Sequence, residues 1–570
     1  MKFSRFLTQS QHVLSLQGGQ QQTSPETVAT AGLEQFIFQT MEEWHVPGLA
    51  VAVIDGKSSW AKGFGHARIN STAPVTPYTQ FFTGSTTKSF TAAAMAQVVD
   101  SSQFPHITWD TPISSLIRDD FVLSDPWATE HITIADALSH RTGYPDHDFV
   151  SYASPREAVR NLRNLPMSAE PRARYQYSNQ LVTTIGYLIQ NLYYPNDMWH
   201  GYLGLLGYVF QTKIWAPLGM GWTYLSTQFP HNEDPYRALA DELWWHNDSK
   251  SYVVVPHAVH AGHEGAGMVV SCVADYVKWL RFMMGETRNE KVLSEKAKAA
   301  IKEPRIMTNP RHPMFTGPLW YAMGWGGGIF EGEEFWSHNG QMREHRTEMW
   351  MFPGKQFGVV IMANANGPAI EMILWRILYD KFEVPEEQRF NIEKRAQDVA
   401  KTQARSLETC VDRLYPRSLP PLSRPLPLTA YTGIYDNAGY GNFTIGLECG
   451  DSARKGYPAD TPAHTTVEKG CALRGSGFLE FEGKAFHVDF EHVTGDYWVA
   501  WLFVDDYAPA DLELTVRPQL CLRAQFRTGP DGAVEAFSGD FRREAEDGPL
   551  VWYVKRKTEN VSASERPLFE

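Results

Sequence analysis

Ser85 and Lys88 stand three residues apart in the stretch Phe82-Thr-Gly-Ser-Thr-Thr-Lys-Ser-Phe90. On a helix that spacing places both on one face, about one turn apart. A serine hydroxyl becomes a nucleophile when a neighbouring base takes its proton. A lysine can be that base where burial and positive neighbours lower its pKa. The run that follows, Thr91 to Val99, has no Gly or Pro and holds the good helix formers Ala, Met and Gln. It predicts a helix beginning near Ser85. Gly84 permits a tight turn into it, and the first N–H groups of the helix favour negative charge developing at the serine.

The Ser-x-x-Lys pattern occurs three times, at Ser59–Lys62, Ser85–Lys88 and Ser452–Lys455. Setting separates them. Ser59 lies in a strand-like stretch, and Ser452 in a polar loop between Gly450 and Gly456. Ser85 has an apolar lead-in, a glycine and a small-residue helix that reads as buried. Two further segments follow in order. Tyr177-Ser-Asn179 precedes the apolar stretch Leu181–Ile189, and His338-Asn-Gly-Gln341 follows Phe335-Trp336. Tyr194-Pro-Asn196, Tyr435-Asp-Asn437 and Tyr440-Gly-Asn442 repeat the first pattern, and His260-Ala-Gly262 and His263-Glu-Gly265 repeat the second. Setting again decides.

Taken in order, these segments resemble the serine β-lactamase and penicillin-binding-protein superfamily, on the side of class C β-lactamases, D-aminopeptidases and esterases. Ser-x-x-Lys with Ser-Asp-Asn and Lys-Thr-Gly is the signature of class A β-lactamases and penicillin-binding proteins. Here the second motif has the form Tyr-x-Asn and the third His-x-Gly. Val46-Pro-Gly-Leu-Ala-Val-Ala-Val-Ile54, Leu138-Ser-His-Arg-Thr-Gly143 and Trp215-Ala-Pro-Leu-Gly-Met220 match as well. So does Gly265-Ala-Gly-Met-Val-Val-Ser271 followed by Asp275. The resemblance runs over roughly residues 31–380.

The resemblance implies that Ser85 attacks an ester, thioester or amide carbonyl and forms an acyl-enzyme. Lys88 would hold the serine proton network. Tyr177 would act as base and then as acid, which requires positive charge nearby because a tyrosine titrates near pH ~10. Asn179, His338 and Gly340 would contact substrate. The backbone N–H groups of Ser85 and Gln341 would form the oxyanion hole. A histidine is a weaker cation than the motif's lysine near neutral pH. That turns the expectation from β-lactam hydrolysis towards an esterase or D-amino-acid peptidase, acting on a small molecule, peptide or specialised metabolite. An acyltransferase using the same Ser-Lys-Tyr site is one alternative, and a catalytically inactive binding module another.

The remaining sequence sets the frame. With 570 residues, two or more domains are expected. A net charge of −13 argues against nucleic acid or an anionic membrane as partner. No apolar run is long enough to span a membrane, and Met1–Ser10 lacks an apolar core of signal-peptide length, so a soluble cytoplasmic protein is expected. No cofactor is expected. The spacing of His257, His260 and His263 invites a metal reading, but Pro256 and Gly262 spoil a helical register, so no metal is expected and the segment 225–265 reads as a loop rimming the cleft. The five cysteines are far apart; Cys449, Cys471 and Cys521 could pair, yet the odd total and low density favour free thiols.

The expected architecture is α/β. Residues 1–30 read as a flexible tail, and residues 31–385 as a β-lactamase-like domain with an antiparallel sheet flanked by helices plus an all-helical subdomain. A helix is expected over Leu33–Trp44, a hairpin about Asp55-Gly56, a helix over Val273–Met284 and a hairpin about Pro353-Gly354. Gly326-Gly-Gly328 reads as a flexible point. A helical and proline-rich linker follows over 386–429, with the helix at Glu387–Leu414. Residues 430–560 have short strands and Gly/Asp turns, which predict an antiparallel β-barrel. That barrel resembles the lipocalin-like domain of some serine peptidases, which implies a position near the cleft where it restricts substrate size.

Overall fold

A computed structural model describes residues 31–69, 73–150, 152–195, 204–228, 238–247, 249–257, 261–415, 421–449, 471–481, 484–504, 518–539, 541 and 550–557. Within these the chain divides into two compact units. One takes in the chain up to Ala400 except Asp148–Ser151, and the other begins at Lys401 and includes that short stretch.

In chain order the strands of the first unit are β1 Gly48–Asp55, β2 Ser58–Gly65, β3 Phe81–Phe82, β4 Tyr224–Leu225, β5 Glu242–His246, β6 Ser251–Val255 and β7 Val269–Ser271, then β8 Ile306–Asn309, β9 Leu319–Tyr321, β10 Gly326–Phe330, β11 Glu333–Met342, β12 His345–Phe352 and β13 Phe357–Ala363. Eight of them form one antiparallel sheet in the order β2-β1-β13-β12-β11-β10-β9-β8. The unbroken apolar runs of β1 and β13 lie side by side, second and third from the β2 edge, and are buried along almost their whole length. Such a run needs cover on both faces. Helix Ala31–Glu43 and helix Ala369–Lys381 cover one side, with Leu33, Ile37, Val51, Trp350, Ile370 and Trp375 in one core. Helix Val273–Met283 also packs on β1 and β13.

Gly326-Gly-Gly328 is the first half of β10 and not a flexible point. A methyl group on Gly327 would lie 2.5 Å from Trp320 Nε1, and one on Gly328 2.5 Å from Leu319 Cδ2. The glycines are there because large neighbours occupy the space. β10 pairs with β11 only over Glu333–Ser337, so the outer edge of β11 from His338 onward continues without it.

The segment 225–265 contains the hairpin β5–β6, with Glu242 opposite Val255, in place of the expected plain loop. The aromatic and β-branched run Tyr252-Val-Val-Val255 is a strand signal hidden by the aromatic and polar composition around it. His260 lies outside the described residues.

The charged helix is two helices, Ile392–Glu408, which begins in the first unit and ends in the second, and Cys410–Leu414, with a break at Thr409. In the second unit strands β14 Gly433–Asn437, β15 Gly441–Cys449, β16 Cys471–Phe481, β17 Lys484–Thr494, β18 Tyr497–Val504, β19 Leu520–Thr528, β20 Val534–Gly539 and β21 Val551–Lys555 close into a barrel in sequence order. Its interior is filled by rings. Tyr435, Phe443, Phe490, Trp498, Phe526 and Phe537 are all buried and touch one another.

Free thiols were the expectation for the cysteines, and the structure corrects it. Cys449 and Cys471 are directly opposed on β15 and β16 and form a disulfide. Cys410 pairs with Cys521 across a sequence separation of 111 residues, because helix Cys410–Leu414 packs on β19. Density along the chain does not report proximity across strands. Cys272 is free and buried. Among the described residues no helix is long and apolar enough to cross a membrane.

Candidate active site

A short 3-10 turn, Gly84–Thr86, leads into helix Thr87–Asp100. Every residue from Phe81 to Ala96 is buried except Ser85, which is half-exposed. Burying so many hydroxyls requires partners, and the fold supplies backbone carbonyls. Thr87 Oγ1 donates to Gly84 O at 2.7 Å, Ser89 Oγ to Thr86 O at 2.8 Å and Thr91 Oγ1 to Gly265 O at 2.6 Å. β3 pairs with β7, and Thr83 N donates to Val269 O at 2.8 Å, which fixes the approach to the turn.

Two glycines let β11 ride against that turn. Gly84 has φ +52°, and a Cβ there would lie 2.5 Å from Gln341 N. A Cβ on Gly340 would overlap Thr83 O and lie 3.1 Å from Ser85 N. The backbone N–H groups of Ser85 and Gln341 therefore border one tight contact between turn and strand.

Lys88 is fully buried. Its ammonium donates to Ser85 Oγ at 3.0 Å, Asn179 Oδ1 at 2.7 Å and Ala266 O at 2.8 Å. Tyr177 O–H donates to Ser85 Oγ at 2.7 Å, and Lys88 Nζ sits 4.7 Å from the centre of the Tyr177 ring. Asn179 opens helix Asn179–Tyr193, which brings its side chain and Tyr177 to the same place. Ser85 and Lys88 thus touch Tyr177 and Asn179 across sequence separations of 92 and 91 residues.

His338 is also beside them, but not as the weak cation the sequence suggested. It is buried, with Nδ1 2.6 Å from Asn339 O and Nε2 2.9 Å from Tyr321 Oη. Burial, and then the charge of Lys88, lower its pKa to about 3. A neutral ring with Nδ1–H donating to Asn339 O leaves Nε2 to accept from Tyr321. Burial raises the Tyr321 pKa well above 10, so that hydroxyl keeps its proton.

His140 is a neighbour to which sequence reasoning gave no role. Its segment matched the family, yet nothing in it marks a side chain under the tyrosine. Its ring lies 4.2 Å from that of Tyr177, and its Nδ1 accepts from Ser178 N at 3.1 Å. Burial, Lys88 and His338 together hold its pKa well below the usual value. Its φ of +57° is a conformation few non-glycine residues adopt, so the fold holds this ring in place at some cost.

A cavity of about 440 Å³ opens beside the site. Tyr175, Tyr177, Ser337, His338 and Asn339 line one part of it, and Trp320, Phe315, Trp350 and Trp375 another.

The repeated patterns go elsewhere. Lys62 pairs with Glu34 at 2.8 Å. Ser452–Lys455 and Asn196 lie outside the described residues. Tyr435 and Tyr440 are buried in the second unit. His257 Nδ1 is 3.1 Å from Glu242 Oε1, and among the described residues no group of three or more His, Cys, Asp and Glu could hold a metal.

The family profile for beta-lactamases matches residues 33–379. The chain belongs to the beta-lactamase family. It is a β-lactamase-related serine hydrolase. It is similar to the unguisins hydrolase ungD' of Aspergillus campestris, 35% identical over 510 residues, which cover 87% of each chain. It is also similar to the unguisins hydrolase ungD of Aspergillus violaceofuscus, 33% identical over 88% of this chain and 86% of that one. Among solved structures the octameric penicillin-binding protein homologue from Pyrococcus abyssi superposes with a TM-score of 0.54 at 18% identity, over 92% of this chain and 99% of that one. At that identity the likeness speaks for the fold alone.

Proposed function

We propose that this hydrolase works through an acyl-enzyme on Ser85, as an esterase or D-amino-acid peptidase of a specialised metabolite. Unguisins, named in the two relatives, are the first compounds to try. The observation that carries the reading is that Ser85 Oγ receives both Tyr177 Oη and Lys88 Nζ within hydrogen-bond distance.

Tyr177, once its own proton is lost to solvent, takes the Ser85 proton as phenolate while Oγ attacks the substrate carbonyl. The Lys88 charge over the ring face favours that phenolate. Negative charge passes to the carbonyl oxygen, which the N–H groups of Ser85 and Gln341 receive. Tyr177 then gives its proton to the leaving group, and the acyl group stays on Oγ. Water, deprotonated by the same tyrosine, releases the acid and restores Ser85. Asn179 holds the Lys88 ammonium with one oxygen and offers its amide N–H to substrate. The neutral His338 supplies no charge for a substrate carboxylate, which favours neutral ester or amide substrates.

A fluorophosphonate should label the folded protein once, on Ser85, and Ser85→Ala should abolish both labelling and turnover of p-nitrophenyl acetate. Equal labelling of Ser85→Ala would remove the proposed mechanism.

A further inference from the structure

The cavity beside Tyr177 holds polar groups that the mechanism above does not use. Glu348 is 6% exposed and lines it, and among the described residues it has a single side-chain hydrogen bond, accepted by Oε2 from Trp350 Nε1 at 3.2 Å. Arg346, two residues earlier on β12 and so on the same face of the sheet, donates Nη1 to Gln341 Oε1 at 2.8 Å. Its Nε is buried with no partner among the described residues, and so is Trp320 Nε1. Buried donors left unpaired cost free energy, and both residues line the cavity, so a ligand acceptor that reached these donors there would remove that cost. The remaining wall is aromatic: the rings of Phe335 and Trp350 are 4.6 Å apart and those of Trp350 and Trp375 5.6 Å.

The charges present say what kind of ligand fits. Glu371 and Arg395, also in the lining, satisfy each other at 3.2 Å. Burial pushes the Glu348 pKa up to about 7, so near neutral pH this carboxyl is easily neutral and does not demand a cation. A carboxyl acceptor, an unpaired guanidinium N–H and an indole N–H among rings match an amide unit with a large apolar side chain. The size, about 440 Å³, lies in the range of small-ligand sites.

We infer that this cavity is the specificity pocket for substrate: it takes an aromatic side chain together with its neighbouring amide, Glu348 accepting the amide N–H and Arg346 or Trp320 donating to the amide carbonyl. The inference rests on the hydrolase reading for its meaning in catalysis, but the binding it asserts can be tested apart from turnover.

The probe is N-acetyl-tryptophan amide. In wild type it should inhibit p-nitrophenyl acetate hydrolysis competitively. In Ser85→Ala, which cannot turn over, calorimetry should show the same amide binding at one site. Gly326 faces the cavity, and a Cβ there meets nothing nearer than Ser337 O at 3.5 Å. Gly326→Leu therefore plugs the space and should weaken binding at least about tenfold; Leu374→Trp plugs it from the facing helix and serves if the first variant does not fold. Glu348→Leu should weaken the amide more than it weakens 3-methylindole, which lacks the amide. Binding that is absent in wild type, or unchanged by a folded plug variant, overturns the pocket. Binding that is present in a protein without esterase turnover overturns the hydrolase mechanism and leaves the pocket standing.

Discussion

Lys62 and Lys88 occupy the same place in the same four-residue pattern, and both are buried, but the two regions use them in opposite ways. On β2, residues three apart point to opposite faces, so Ser59 and Lys62 diverge, and Lys62 turns to the Glu34 carboxylate at 2.8 Å. Where the 3-10 turn at Gly84–Thr86 runs into the helix from Thr87, the same spacing keeps both residues on one side, and Lys88 donates to the neutral oxygens of Ser85, Asn179 and Ala266. One lysine is an ion-pair partner and the other is a cation beside a hydroxyl and a phenol. The difference comes from the period of the secondary structure and the chain that packs on it, not from the motif.

The largest expected effect follows from removing Lys88. Lys88→Ala should lower kcat by a factor of about 10²–10⁴, the usual cost of a lost proton-transfer group, while circular dichroism shows the fold intact. Near-normal kcat in the folded variant would erase the distinction between the two lysines. Tyr177→Phe should fall in the same range. The double variant should lose much less than the product of the single losses, because the proposed mechanism has both residues serve one proton path; multiplicative losses would separate them.

A smaller effect sharpens the electrostatic side. The His338 pKa is lowered from 6.5 in the unfolded chain to about 3. Between those values the unfolded chain binds a proton that the folded site does not, so stability falls as pH drops from about 6.5 towards 3. His338→Gln should flatten that fall in melting temperature, and an unaltered pH dependence would show that the histidine titrates normally. The smallest effect on rate is at the other lysine: Lys62→Ala should change kcat less than about twofold and cost about 1.5–3 kcal/mol of stability, the range for a hydrogen bond to a charged group. Thermal melts and initial rates suffice.

The Ser85 helix was legible because a glycine and an unbroken run of good helix formers mark its start. The hairpins at Asp55-Gly56 and Pro353-Gly354 were legible for a similar local reason, and the sheet and barrel classes followed from strand patterns and the family resemblance. What failed to show is set by tertiary surroundings. Gly326-Gly-Gly328 looks flexible until Trp320 and Leu319 are seen in the space. Cys449 and Cys471 meet because β15 and β16 pair in that register. His338 is a cation candidate by residue type, and only its burial and the nearby Lys88 make it neutral. His140 sits in a matched segment, but its place under Tyr177 depends on a positive φ that composition does not announce.

The contrast between the lysines is tested most directly by the rate at which Ser85 becomes acylated. Rapid quench of p-nitrophenyl acetate reactions, followed by mass analysis of the Ser85 peptide, gives that rate for wild type and for each lysine variant. Lys62→Ala should acylate at the wild-type rate, and Lys88→Ala at least about 10² slower. Equal acylation rates in the two variants would contradict the account.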